Sequence, residues 1–176
     1  MVRVLKFLAY LLFFMLMLSV TFPKTNVLYK AQELLLAYQV KSTPVTIRER
    51  ALSLEIESMS IAYKGVRAAE LAQTEISLFG VYNTIAVKDA RLVGIVKNFM
   101  PSKIASMHIS YSILDPFTIK AEAEGDFGKA DISYLLKEKR AVVVLHPSTL
   151  MQQQFKSSLS LFKKSKDGVY HYEKSL

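Results

Sequence analysis

The chain has 176 residues, half of them hydrophobic, with no cysteine, no tryptophan and a net charge of +8. Without cysteine there is no disulfide, no thiolate metal site and no cysteine nucleophile. The basic residues are dispersed, with no compact basic helix, which argues against a nucleic-acid partner.

The first element is FLAYLLFFMLMLSVTF, Phe7 to Phe22, sixteen residues without a charge. As a helix it extends about 24 Å, somewhat short of the ~30 Å bilayer core. Counting from Val4 brings it closer to a full span, because Lys6 can snorkel toward headgroups. Arg3 and Lys6 precede the run and Pro23-Lys24 close it, so the positive end stays in the cytoplasm and the remainder lies across the membrane. A cleaved signal peptide carries a similar run, and Ser19-Val20-Thr21 is a weak cleavage pattern. The run has no polar face to suit a soluble amphipathic helix. Residues 1–23 therefore read as a transmembrane anchor or signal peptide, and residues 24–176 as one exported domain. Arg3 and Lys6 account for +2 of the +8, which leaves +6 on the exported part. That excess suits a solvated basic surface, anionic headgroups or an acidic partner.

Asn26 to Lys41 reads as a helix capped by Thr25 or Asn26, and Pro44 ends the helical region. Val27, Leu28, Ala31, Leu34, Leu35 and Tyr38 recur on one stripe, available to cover a sheet or meet a partner. Alternation then takes over. Leu52, Leu54 and Ile56 keep one parity; Met59, Ile61 and Tyr63 keep the other, which implies a bulge or strand break near Ser58. Lys64-Gly65 is a hairpin turn, and Val66 begins the return strand. Residues 69–73 are ambiguous, and Thr74, Ile76 and Leu78 resume a strand. Ile85 and Val87, then Ala90 and Leu92, change parity again at Lys88-Asp89. Gly94 to Lys103 reads as a loop around Pro101. Met107, Ile109, Tyr111 and Ile113 form the cleanest alternation, followed by a turn at Asp115-Pro116. Phe117, Ile119, Ala121 and Ala123 alternate up to the Gly125–Gly128 turn, and Ala130 to Leu136 return. Ala141 to Leu145 is a short strand. Ser148 or Thr149 then caps a second helix, in which Leu150, Met151, Phe155, Leu159 and Phe162 share a stripe. Lys163, Lys164 and Lys166 suit its C-terminal end, and Val169 to Tyr172 makes a last strand. The expected class is mainly β: an antiparallel meander, curved and able to form a groove, with one amphipathic helix before it and one after.

Reaction chemistry is hard to find. His108, His146 and His171 are far apart and lack metal-site spacing. Glu122, Glu124 and Asp126 share a strand face with Lys120, which reads as a hydrated charged face and not a carboxylate pair. Asp126-Phe127-Gly128 copies a kinase tripeptide without the loops a kinase needs. No nucleophile elbow, phosphate loop or dinucleotide fingerprint is present. The inventory disfavours an enzyme, a cofactor or a metal.

The order of parts is similar to a known family. The anchor ends in Phe22-Pro23, and a short helix follows. Next comes ISLFGVYNTIAVKDARL, Ile76 to Leu92, then GDFGKADISYLLKEKRAVVVLHPS, Gly125 to Ser148, and a helix closed by KDGVYHYEKSL. This resembles the protein N component of bacterial type II secretion systems, which shares a β-rich style with AsmA-like envelope proteins. The resemblance implies an inner-membrane protein, single-pass, with its domain in the periplasm, assembling with secretion-system subunits and having no catalytic residues. Two mechanisms are open. In one, the protein works by contact with other subunits, through sheet edges or the stripe of Val27, Leu28, Leu35 and Tyr38. In the other, an AsmA-like groove lined by Met107, Ile109, Tyr111, Ile113, Phe117 and Ile119 takes lipid acyl chains. They are distinguished by whether the helices seal the apolar sheet face.

Overall fold

The computed structural model describes residues 2–21, 23–165 and 167–175. Two helices open the chain, α1 (Val2–Thr21) and α2 (Lys24–Ala37). Eight strands follow: β1 (Val40–Glu49), β2 (Ser53–Tyr63), β3 (Val66–Leu78), β4 (Tyr82–Leu92), β5 (Lys103–Ser112), β6 (Asp115–Gly125), β7 (Gly128–Leu135) and β8 (Arg140–Pro147). Helices α3 (Thr149–Gln154) and α4 (Lys156–Leu159) then lead into β9 (Lys163–Lys164) and β10 (Tyr170–Ser175). All these strands form one antiparallel sheet, ordered β1-β2-β3-β4-β5-β6-β7-β8-β10-β9. The mainly β class is therefore as expected, and the meander is unbroken from β1 to β8. Only the end departs: β10 returns to pair with β8, and β9 lies outside it.

Helix α1 has 20 residues, and its apolar side chains from Val4 to Val20 stand exposed wherever they are described. Among the described residues no helix is long and apolar enough to cross a membrane. The uncharged part of α1, Phe7 to Thr21, covers about 22 Å at ~1.5 Å per residue; Phe22 lies outside the described residues.

Helix α2 corrects three expectations. It stops at Ala37, four residues before Lys41, because Gln39 takes a left-handed φ of 61°. Its N-terminus has no side-chain cap from Thr25 or Asn26. Glu49, at the end of β1, supplies one instead: Oε1 accepts the Lys24 main-chain N–H at 2.9 Å, and Oε2 accepts the Thr25 hydroxyl at 2.6 Å. Pro44 does not end a helical region but lies inside β1, which is tolerable because β1 is an edge strand.

Both parity changes are present, without a strand break. Ser58 and Asp89 have φ of 58° and 52°. Each drops out between paired neighbours, Ser58 between Glu57↔Gln73 and Met59↔Leu71, Asp89 between Lys88↔Ser106 and Ala90↔Ile104. Register is the same on both sides, so the neighbouring strands change parity together along one line. Its result is that Val87 and Ala90, an odd number of residues apart, bury into the same cluster with Leu71. The ambiguous residues 69–73 belong to β3 and cross this line.

The second helix is divided in two. Ser148 caps α3, its hydroxyl accepting the Met151 N–H at 3.1 Å, but Phe155 interrupts the helix before α4. Met151 and Leu159 are buried with Phe127, Ala130 and Leu145, whereas Leu150 is exposed. Lys163 and Lys164 belong to β9 and not to a helix terminus; Lys166 lies outside the described residues.

Candidate functional site

Cross-strand register builds one apolar face across the sheet. A single row reads Leu54, Ile76, Ile85, Ile109, Ala121, Ile132, Val143 and Tyr172, each facing the next. The neighbouring row on the opposite face reads Glu55, Glu75, Ala86, His108, Glu122 and Asp131. Antiparallel sheets normally hide the first kind of face and wet the second.

The apolar face is buried in three clusters: around Leu71, Val87 and Ala90 along the parity line, and beneath helices at two places. Leu28 of α2 packs on Leu54 and Ile56, both 1% exposed, with Ile47, Met59 and Ile76 around them. Helices α3 and α4 close over Phe127, Ala130 and Leu145. Between these covers lie Ile109, Tyr111, Ile119, Ala121, Ile132, Tyr134 and Val143. They are half-buried and belong to none of the buried clusters. Where this strip meets α2 there is a cavity of about 270 Å³. Val27, Leu28 and Ala31 of α2 form one wall, and Leu54, Ile76, Ile85, Ile109, Tyr111 and Ile119 form the other. Its size is near the lower bound of small-molecule sites, about 300 Å³, and although Lys24, Asn83, Thr84 and Ser110 also line it, it exposes almost no polar surface.

The structure brings together six of the ten residues singled out from the sequence: Val27, Leu28, Ile109, Tyr111 and Ile119 at the cavity, and Met107 in the adjoining cluster. The other four lie apart from the cavity. Leu35 and Tyr38 are exposed and touch no buried cluster, since α2 covers the sheet with its first turns only. Ile113 and Phe117 do not line a groove; the β5–β6 hairpin holds them exposed at one end of the sheet. Sequence reading missed Leu54, Ile76 and Ile85 as wall residues. Their alternation was visible, but only register shows that they lie in line with Ile109.

Charged groups on the opposite face form ordinary surface pairs. Arg48 meets Glu57 at 3.1 Å and Lys129 meets Glu124 at 3.5 Å, with both side chains well exposed in each pair. His108 stands exposed beside Glu122 across the β5–β6 ladder. Among the described residues no group of three His, Asp or Glu could hold a metal ion. Glu49 is the carboxylate held below the usual range. The Thr25 hydroxyl contributes most and the Lys24 N–H next.

Comparison with family models, curated proteins and solved structures finds no match. The class of protein therefore rests on fold and site alone: a single antiparallel sheet, amphipathic through its thickness, with a partly uncovered apolar face.

Proposed function

We propose that this chain is a non-enzymatic, membrane-anchored protein of the bacterial envelope whose apolar sheet face accommodates lipid acyl chains. One observation carries the reading: the strip from Ile109 to Val143 lies open between its two covers and continues into an apolar cavity under α2. An ordinary core would be closed, since apolar area left in water forgoes about 25 cal/mol per Å². The cavity has room for part of an acyl chain, and the surface it exposes is almost wholly apolar. In this reading α1 anchors the protein in the inner membrane, with Arg3 and Lys6 cytoplasmic and the sheet in the periplasm. Its uncharged length is short for a span, a mismatch that snorkelling of Lys6 and local thinning of the bilayer accommodate. The test is native mass spectrometry of the full chain released from membranes in mild detergent. A phospholipid adduct is expected; full occupancy of the membrane fraction with no adduct rejects lipid binding.

A second reading keeps the resemblance to the type II secretion protein N family, with action through contact with other subunits. The exposed apolar run of α2, Leu34, Leu35, Leu36 and Tyr38 (76% exposed), favours it. The contact would involve α2 and not the β1 edge. Pro44 interrupts that edge, and Gln32 Nε2 donates to the Ser42 carbonyl at 3.3 Å, which blunts strand addition. Photo-crosslinking from Leu35 and Tyr38 in intact membranes tests it; recovery of secretion subunits supports the reading, and recovery of phospholipid alone rejects it.

A further inference from the structure

In a meander, alternate hairpins fall at the same end of the sheet. The β1–β2, β3–β4, β5–β6 and β7–β8 turns therefore share one end, set by the pairs Glu49↔Leu54, Leu78↔Asn83, Ser112↔Asp115 and Leu135↔Arg140. Adjacent turns are linked by main-chain hydrogen bonds. The Leu78 N–H donates to the Leu52 carbonyl at 3.4 Å, that of Ile113 to Val81 at 3.0 Å, and that of Leu136 to Phe117 at 2.8 Å. The turns thus form a continuous rim, not independent loops.

Its composition is unusual for hairpin tips, which normally carry polar turn residues. Phe79, Val81, Ile113, Leu114, Phe117 and Leu136 are all exposed, Leu114 to 87%. Beside them stand Lys137 and Lys139, which make no ion pair among the described residues. Apolar tips flanked by lysine match a membrane–water interface bearing anionic lipid. A second feature marks the same end. Glu49, the residue before the β1–β2 turn, holds Lys24 and Thr25 by hydrogen bonds, so the C-terminal end of the apolar helix α1 is fixed to this rim. The cavity also lies at this end, because Leu78, Asn83, Tyr111 and Ile119 in its wall are close to the turns.

We infer that the rim from Phe79 to Leu136 rests in the surface of the anionic bilayer that α1 enters, turning the cavity end of the sheet toward the lipid. The inference rests on the anchoring role of α1 and adds an orientation to it. The sheet stands end-on to the membrane, and an acyl chain reaches the strip from Ile109 to Val143 without crossing water.

The absence of cysteine permits a direct test. Single-cysteine variants of the full chain, Phe79→Cys and Leu114→Cys on the rim, Ile95→Cys at the opposite end and Phe13→Cys in α1, are labelled with an environment-sensitive fluorophore. All four positions are exposed, so labelling leaves the core intact. The variants are reconstituted in phosphatidylethanolamine–phosphatidylglycerol vesicles carrying spin-labelled acyl chains. Quenching is expected at Phe79, Leu114 and Phe13, with Ile95 unquenched. Quenching at Phe13 without Phe79 and Leu114 overturns the rim contact and leaves the anchor standing. No quenching at Phe13 overturns both, and equal quenching at Ile95 overturns the end-on orientation.

Discussion

Glu49 and Lys24 are joined by a 2.9 Å hydrogen bond from the Lys24 main-chain N–H to the Glu49 carboxylate, between residues 25 apart in sequence. Pro23, in the N-cap position, provides no side-chain acceptor, so a carboxylate from the sheet satisfies one of the helix's unpaired donors. Glu49→Gln keeps the shape and removes the charge. Its expected effect is faster amide hydrogen exchange at Lys24, with the sheet amides unchanged; unchanged protection at Lys24 would show that the bond does not hold the helix. The pH dependence has a definite sign. Glu49 has a lowered folded-state pKa, through the Thr25 hydroxyl first and the Lys24 N–H second. Its contribution is present above the ordinary glutamate range and is lost as pH falls through the lowered value. Protection at Lys24 should therefore persist at neutral pH and fall in acid, and E49Q should lack that acid transition.

The parity line across the sheet yields a second prediction. Asp89 has φ of 52° and Ser58 has φ of 58°, in a region that costs an ordinary L-residue roughly 1–2 kcal/mol. Glycine has no such cost, and a β-branched residue is worst placed there. Asp89→Gly is expected to match or exceed the native stability, and Asp89→Val to lose about 1–2 kcal/mol in chemical unfolding. Equal stability of the two variants would mean that left-handed backbone at this position is not what sets the parity change.

Much of this line could be read in the chain. The switch from Ile56 to Met59 and from Val87 to Ala90 was visible as a broken alternation. What one strand could not show is that β3 and β5 change parity at the same place, which retains register and leaves the strands continuous. A lone strand with an extra residue looks like a bulge or a break. The candidate site divides in the same way. Ile109, Tyr111 and Ile119 follow from local alternation. Ile113 and Phe117 continue the same pattern on paper, but the chain turns between them, and periodicity carries no information about where a hairpin closes. Leu35 and Tyr38 share a helical stripe with Leu28, yet only Leu28 joins the buried cluster and they stay exposed. The Glu49 cap was not legible at all, because a contact across 25 residues has no local signature.

Thr74 gives the third prediction. It lies between Ile56 and Val87 on the apolar face, is 4% exposed, and its hydroxyl has no hydrogen-bond partner among the described residues. A buried hydroxyl without a partner costs about 1–3 kcal/mol. Valine has nearly the same shape and fits a strand better. Thr74→Val is expected to raise stability by about 1 kcal/mol, read as a higher denaturation midpoint with an unchanged slope. A loss of stability would indicate that the hydroxyl is satisfied within the folded protein, for instance by water.

The last prediction separates lipid binding from the packing of α2. Ala31 is on the α2 wall of the cavity, one turn on from Leu28, but is itself exposed and outside the buried cluster of Leu28, Leu54 and Ile56. A tryptophan at position 31 has the bulk to occupy much of the 270 Å³ without removing any core side chain. Leu28→Ala is the opposite change: it widens the cavity, whose wall Leu28 shares, and deletes the side chain that fastens α2 to the sheet, at an expected cost of about 2–5 kcal/mol. If the cavity takes acyl chains, Ala31→Trp loses the phospholipid adduct in native mass spectrometry while keeping native stability. Leu28→Ala then loses stability first, retaining the adduct in whatever fraction remains folded. The reverse order, with the adduct surviving Ala31→Trp undiminished, would place any bound lipid elsewhere on the molecule and would leave the space beneath α2 as a packing defect.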